Sequence, residues 1–358
     1  MKPAAARWFS LRTLGVAAAL LTAALLVTLA FPVERWRTGD RGLMPLDAAP
    51  VASTPPLARR LWIDTDAACG HARRTDPDDC FAIALLARSA QVDMVGISVV
   101  AGNAALEVVE RTTRALVAET GRPVPVHAGR AAHQALRDAL EQGPLTILAL
   151  GPLTNVAAVL DEHPALAARV SRLIAVMGRR PGHLFHPAEG AGGGMLFGHG
   201  PVFRDLNFAL DPRAAARVLA LRLPTSLVPY DAARGVEITP ADLDRLTAQG
   251  GAAAWVAQRA RAWLDYWRED IGRQGFYPFD LLAAAYVLEP SWLRCTPVRA
   301  WVGDDRTMVM PWRPQALLIE PGADSPTLYC GRAGGGLKPG LMERFTADRA
   351  GRTAAWSS

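Results

Sequence analysis

The chain has 358 residues, is 50% hydrophobic and carries a formal net charge of +5. That length suits one large domain or two small ones. The basic residues are scattered: Arg59-Arg60, Arg73-Arg74 and Arg179-Arg180 form no stripe and have no aromatic residues interleaved, so the charge reads as solvated surface and a nucleic-acid partner is excluded.

Lys2, Arg7 and Arg12 precede an uncharged apolar segment, residues 13–33. At ~1.5 Å per residue a helix of about 20 residues crosses a hydrocarbon core of ~30 Å. Two readings compete. A cleaved secretory signal usually has a shorter apolar region, but Thr28-Leu29-Ala30 offers a cleavage site. The length favours an uncleaved transmembrane signal-anchor. Either one exports the downstream chain to the periplasm or the cell exterior and leaves residues 1–12 as a basic cytoplasmic tail. Residues 34–57 hold Pro, Ala, Gly, Ser and Thr without an apolar period and read as a linker. The folded unit is expected over 58–345, with 346–358 as a tail.

Within that unit apolar strands and helices alternate. Leu61-Trp62-Ile63 reads as a buried strand ending in Asp64-Thr65-Asp66, followed by a helix over 79–90. A strand over 94–100 leads to Ala101-Gly102-Asn103 and a helix over 106–120. Short strands come next at 125–127 and 145–150, then a helix from about Asn155 and a strand over 173–177 that ends at Gly178. Helices are expected over 212–221, 254–269 and 280–288, and short strands in the last 60 or so residues. This alternation predicts an α/β fold, a mostly parallel sheet with helices on both faces. Asp64, Asp66, Asn103 and Met177-Gly178 then all stand at carboxyl ends of strands, the edge where such sheets bind ligands.

Cys69 and Cys80 bracket a loop, and Cys295 and Cys330 lie near strand-like runs. In an exported domain each pair could oxidise. The absence of a CxxC argues against structural zinc. The glycine-rich run Glu189 to Met195 lacks the Lys-Ser/Thr of a phosphate-binding loop and reads as a surface loop.

Five carboxylates crowd into 16 residues: Asp64, Asp66, Asp76, Asp78 and Asp79. Helix capping accounts for some of them. Set between an apolar strand and an apolar helix, they repel one another unless a hard divalent cation such as Ca²⁺ shares their oxygens.

These residues resemble the nucleoside hydrolase family. The matching blocks are Asp64-Thr65-Asp66 with Asp78-Asp79, then 96–103 ending in Asn103, 148–155, Val176-Met177-Gly178, Asp205 to Pro212, and Phe279-Asp280 with its apolar helix. The resemblance runs from about Leu61 to Pro290 and implies a Rossmann-like core. It implies hydrolysis of a nucleoside's N-glycosidic bond, with Ca²⁺ bound by Asp66, Asp79, Asp280 and the carbonyl of Leu150. Asp66 would also take the proton of the attacking, metal-bound water. Asp78 and Asn103 would hold ribose hydroxyls, Asp205 and Asn207 the sugar's other side, and Met177 would line the ribose pocket. The family often forms dimers or tetramers, which makes a homo-oligomer an expectation that no residue here specifies.

Three departures bear on that reading. The turn from Asp66 to Asp78 is enlarged, and its insert, residues 67–77, reads either as a plain loop or as a contributor to the pocket. Phe279 stands where many members carry a His that protonates the leaving base. His71, His183, His186 and His199 are candidates to replace it, although each alone reads first as a surface histidine. Trp263, Tyr266 and Trp267 could instead stack on a base. His199 stands where members tend to carry a sugar-binding Asn, so sugar recognition at that position is expected to differ. The alternatives to nucleoside hydrolysis are a catalytically weak nucleoside- or sugar-binding domain and a hydrolase of a modified N-glycoside.

Overall fold

The computed structural model describes residues 15–26, 57, 59–183, 185, 187, 203–305 and 315–346. The first helix, α1 (residues 15–26), is exposed throughout and, at ~1.5 Å per residue, about 18 Å long. Among the described residues no helix is long and apolar enough to cross a membrane. The membrane span expected over 13–33 therefore finds no support in the structure. Residues 13–14 and 27–33 of that segment lie outside the described residues, as do 1–12, nearly all of the 34–57 linker, most of the 346–358 tail and the 189–195 glycine run.

From Arg60 the chain alternates as expected: β1 (Arg60–Thr65), α2 (Asp78–Ala87), β2 (Asp93–Val99), α3 (Leu106–Thr120), β3 (Val126–Ala128), α4 (Gly129–Glu141), β4 (Leu145–Ala149), α5 (Thr154–Glu162) and β5 (Val170–Ala175). Next come α6 (Leu206–Leu210), α7 (Pro212–Ala220), β6 (Thr225–Leu227), α8 (Tyr230–Ala233), α9 (Pro240–Ala248), α10 (Gly251–Arg259) and α11 (Arg261–Tyr266). The chain closes with α12 (Phe279–Leu288), β7 (Leu293–Asp304), β8 (Gln315–Pro321), β9 (Thr327–Ala333) and α13 (Leu337–Thr346).

The described strands form one sheet in the order β3-β2-β1-β4-β5-β6-β9-β7-β8. Pairing from β3 through β9 is parallel, and only β7 runs antiparallel, to β8 and β9. Side chains alternate across a strand, so β1 serves two cores. Leu61 and Ile63 join the layer of α2, α3 and α9 to α13, while Trp62 joins the layer of α4, α5 and α7.

The chain leaves β1 toward β2 and β3, then returns to β4 on the other side of β1. This reversal opens a crevice beyond the carboxyl ends of β1 and β4, the place where doubly wound sheets bind ligands. The Leu150 N–H donates to the Asp64 carbonyl at 2.7 Å and closes the two strand ends together.

Several boundaries shift. The strand expected over 173–177 begins at Val170 and ends at Ala175, leaving Met177 in the loop beyond it. The single helix expected over 254–269 is three pieces, α10, α11 and a π-helical turn at Trp267–Ile271. Helices α4, α9 and α13 were not anticipated. In α4 the buried Ala132, Leu136, Ala139 and Leu140 mark one face, and α9 opens with a Thr239–Asp242 capping box. Cys69 pairs with Cys80 and Cys295 with Cys330, the two pairings considered from sequence.

Candidate active site

The helices α2 and α12, apolar apart from the acids in their first turns, pack against each other. Every residue of α2 is buried, as is every residue of α12 after Phe279. Both begin with acids, which helix N-termini favour. The Asp78 carboxylate accepts the Asp280 N–H of α12 at 2.9 Å and the Asp79 N–H at 3.1 Å, so it caps the neighbouring helix as well as its own. One oxygen each of Asp78, Asp79 and Asp280 lies within 4.8 Å of the others.

Asp66 joins from the end of β1. Its carboxylate accepts the Asn103 N–H at 2.8 Å and the Asn103 side-chain amide at 3.4 Å, and that amide also reaches Asp79 at 3.3 Å. The Thr65 hydroxyl and the Asp66 N–H both donate to Asp79. Asp66 is not part of the 4.8 Å triple, whereas Asp78, read from sequence as a ribose ligand, is.

Burial raises the pKa of all four carboxylates, and mutual repulsion raises it further for Asp66, Asp79 and Asp280. Asp79 reaches about 6, with burial first and Asp78 second among the causes. Asp76 adds a further carboxylate against Asp78 and Asp79. A hard divalent cation accepts several carboxylate oxygens and removes that penalty, so the donor set fits one.

Asp64, on the same strand, faces the other layer. It accepts Ser98 Oγ at 2.5 Å and the Asn155 amide at 2.8 Å, and burial lifts it to about 7. It braces β1 against β2 and α5, and it does not line the cavity.

The crevice encloses a cavity of about 370 Å³. Asp78, Asn103, Leu150, Met177, Asp205, Asn207 and Asp280 line it, so most of the expected site residues come together; Asp66 and Asp79 stand behind them. Asp205 caps α6 by accepting the Phe208 N–H at 3.2 Å and the Gly178 N–H at 2.6 Å. Gly178 has φ +92°, a conformation natural to glycine, and it turns its N–H toward that carboxylate. Burial lifts Asp205 to about 6. The Asn207 amide donates to the carbonyls of Leu150 and Val176. His199 and His186 lie outside the described residues.

The opposite wall is aromatic: Phe185, Phe203, Tyr230, Trp263, Tyr266 and Phe279. Of the three aromatics singled out in sequence, Trp263 and Tyr266 line the cavity. Trp267 is fully buried and packs edge-on to Tyr277, centroids 5.0 Å apart. His71 is exposed and His183 is buried against Asp231 at 2.8 Å; neither lines the cavity.

The insert after Asp66 contributes Arg74 and Asp76 to the lining. The Cys69–Cys80 bond ties its start to α2, and Arg73 pairs with Glu269 at 2.6 Å beyond α11. Sequence reasoning missed Phe185, Phe203 and Tyr230. Tyr230 comes just after the carboxyl end of β6, but that strand has only three residues and leaves no legible apolar run.

Fold and site thus define an α/β protein with a buried carboxylate centre facing an aromatic-walled cavity. The chain belongs to the inosine-uridine preferring nucleoside hydrolase family, whose sequence model matches residues 61–317. It is 29% identical over 164 residues to the pyrimidine-specific ribonucleoside hydrolase RihA of Klebsiella pneumoniae (strain 342), covering 45% of this chain and 47% of that protein. To the protein of the same name from Enterobacter sp. (strain 638) it is 30% identical over 162 residues, 45% and 46% of the two chains. The chain therefore spans about half the length of the curated relatives it matches. Among solved structures, a purine-preferring ribonucleoside hydrolase from Gardnerella vaginalis superposes with TM-score 0.64 at 17% identity, over 82% of this chain and 98% of that one. A plant nucleoside hydrolase superposes with TM-score 0.62 at 18% identity, over 82% and 100%. At these identities the likeness shows the fold.

Proposed function

We propose that this protein hydrolyses the N-glycosidic bond of a nucleoside to free base and ribose, with Ca²⁺ held by Asp66, Asp79, Asp280 and the Leu150 carbonyl. The observation that carries the reading is the buried triple of Asp78, Asp79 and Asp280, which meets an aromatic-walled cavity in a chain of this family. A bound divalent cation would screen the carboxylates and lower the pKa of a water. Asp66, held at the end of β1 by the Asn103 N–H, would take the proton of that water. Asp78 and Asn103 would hold the ribose hydroxyls on one side, and Asp205 and Asn207 the sugar on the other, with Met177 against its ring. The carboxylates favour positive charge developing on the sugar as the bond breaks. Trp263 and Tyr266 offer aromatic surface to the base. The similar proteins include pyrimidine-specific and purine-preferring enzymes, so their names assign no base preference here.

We propose further that the domain works outside the cytoplasm, exported by residues 13–33. The two disulfides support an oxidising compartment, and membrane and soluble fractions probed for the intact and shortened chain test it.

The testing experiment is release of free base and reducing sugar from a panel of purine and pyrimidine nucleosides, with Ca²⁺ and with a chelator. Chelator-sensitive release is expected. Ca²⁺ binding without release from any nucleoside would favour a binding domain, the alternative that Phe279, with no proton to give, keeps in view.

A further inference from the structure

In the proposed reaction the base leaves with the electron pair of the broken bond, and Phe279 has no proton to offer it. His71 is exposed and His183 pairs with Asp231, so neither serves. A positive charge beside the departing base would do the work of a proton. Among the described residues the cavity lining offers two, Arg74 and Arg204, and its other charged members are carboxylates.

Arg204 adjoins Asp205, which the functional reading puts against the far side of the sugar. Arg74 stands between the acids and the aromatic wall. Two residues beyond it, the Asp76 carboxylate accepts the Asp78 N–H at 3.2 Å. On its other flank the Arg74 guanidinium carbon lies 5.1 Å from the centre of the Tyr266 ring, and Tyr266 packs on Trp263 with centroids 5.2 Å apart. A sugar on the acids and a base on the rings put the bond to be broken at that junction. The neighbouring arginine has a different task. Arg73 holds Glu269 at 2.6 Å and Asp270 at 2.5 Å and does not line the cavity. Arg74 reaches Asp270 only at 3.7 Å, makes no hydrogen bond among the described residues, and keeps 69% of its side chain exposed. Its N–H donors are therefore open to a ligand, while Arg73 and the Cys69–Cys80 bond hold the insert that carries it.

We propose that Arg74 is a catalytic residue of this site, its guanidinium hydrogen-bonding the departing base and stabilising the negative charge that forms there. The assignment rests on the nucleoside-hydrolase reading. As the C1′–N bond breaks, its electron pair passes to the base, which leaves as an anion beside Arg74. Water adds at C1′ and gives its proton to the Asp66 carboxylate. The base anion then takes a proton from solvent. A guanidinium keeps its own protons, so it acts through charge and directed hydrogen bonds alone. The Tyr266 ring beneath it supports the planar cation, and no acid is needed where Phe279 stands.

Such a cation matters most where the leaving anion is unstable. The test compares inosine and uridine with p-nitrophenyl riboside, whose phenolate spreads its own charge, using the full-length chain with Ca²⁺. Arg74→Ala should lower kcat roughly 100-fold on nucleosides and under about 10-fold on p-nitrophenyl riboside. Guanidinium chloride, added well below denaturing concentration, should restore part of that loss, because the position is open to solvent. Arg73→Ala should leave the ratio of the two rates unchanged. An equal loss on both substrates, an unchanged kcat, no recovery with guanidinium, or the same selective fall from Arg73→Ala or Arg204→Ala would overturn the assignment. Parent protein that cleaves p-nitrophenyl riboside and no nucleoside would overturn it too. Parent protein that cleaves neither would sink the hydrolase reading and the assignment with it. A melting curve of Arg74→Ala matching the parent's is expected, because the ion pair removed is long and exposed.

Discussion

Gly102 shows how tightly single residues set this site. A methyl group there would stand 1.9 Å from Asp66 Oδ2, so Gly102→Ala has to push Asp66 off Asn103. Misplacing a reacting group by about 1 Å costs roughly 100-fold, and that loss in kcat/KM on nucleosides is the expected result. Unchanged kinetics would place Asp66 outside the chemistry. Asp205 makes a pH prediction. Its folded pKa is about 6 against 3.8 unfolded, so between those values the folded state binds more protons than the unfolded. Stability therefore falls as pH rises through that window. Asp205→Asn should flatten this part of the profile, read as melting temperature from pH 4 to pH 7.

At the scale of elements, the site depends on α2 and α12 staying side by side, because they carry the acidic triple. Leu282 is fully buried in that layer, and Leu282→Ala should cost about 2–5 kcal/mol in urea unfolding. The insert between Asp66 and α2 acts as a strap: Cys69 binds Cys80 beside Asp79, and Arg73 reaches Glu269 and Asp270 beyond α11. These ion pairs are exposed and contribute little, so the disulfide is the main fastening. Cys69→Ser should lower stability by on the order of 3 kcal/mol and loosen Arg74 and Asp76 at the cavity, seen as a raised KM. A KM equal to the parent's would reduce the insert to a passive loop. Much at this scale was legible beforehand. The apolar runs of β1, β2 and β4 mark buried parallel strands, and α3 was found at its observed limits. The misses have physical causes. A three-residue strand such as β6 has no period, and the π-helical turn at Trp267–Ile271 departs from the 3.6-residue period by which a helix is read.

For the molecule as a whole, the cation should couple site to fold. A ligand at 100 times its Kd adds about 2.7 kcal/mol to the folded state. For a chain of this size each kcal/mol moves Tm by roughly 1.5 °C. Calorimetry with Ca²⁺ against chelator should show a rise of about 4 °C in the parent and none in Asp79→Ala. A variant that keeps the shift would show that Asp79 is no ligand.

By itself the sequence determined the alternation of strands and helices, both cysteine pairs as candidates, and most of the residues now found at one rim. Those signals are local: runs, spacings and strand ends are written in consecutive residues. Tertiary structure decided the rest. It showed that α2 and α12, some 200 residues apart in the chain, abut so that Asp78 joins Asp79 and Asp280. It also showed that the insert reaches the cavity, that Trp267 belongs to the core, and that Tyr230 stacks on Phe185, which meets Phe279 edge-on. Such facts depend on which surfaces meet across a sheet, and contacts between distant segments leave no period in a single chain.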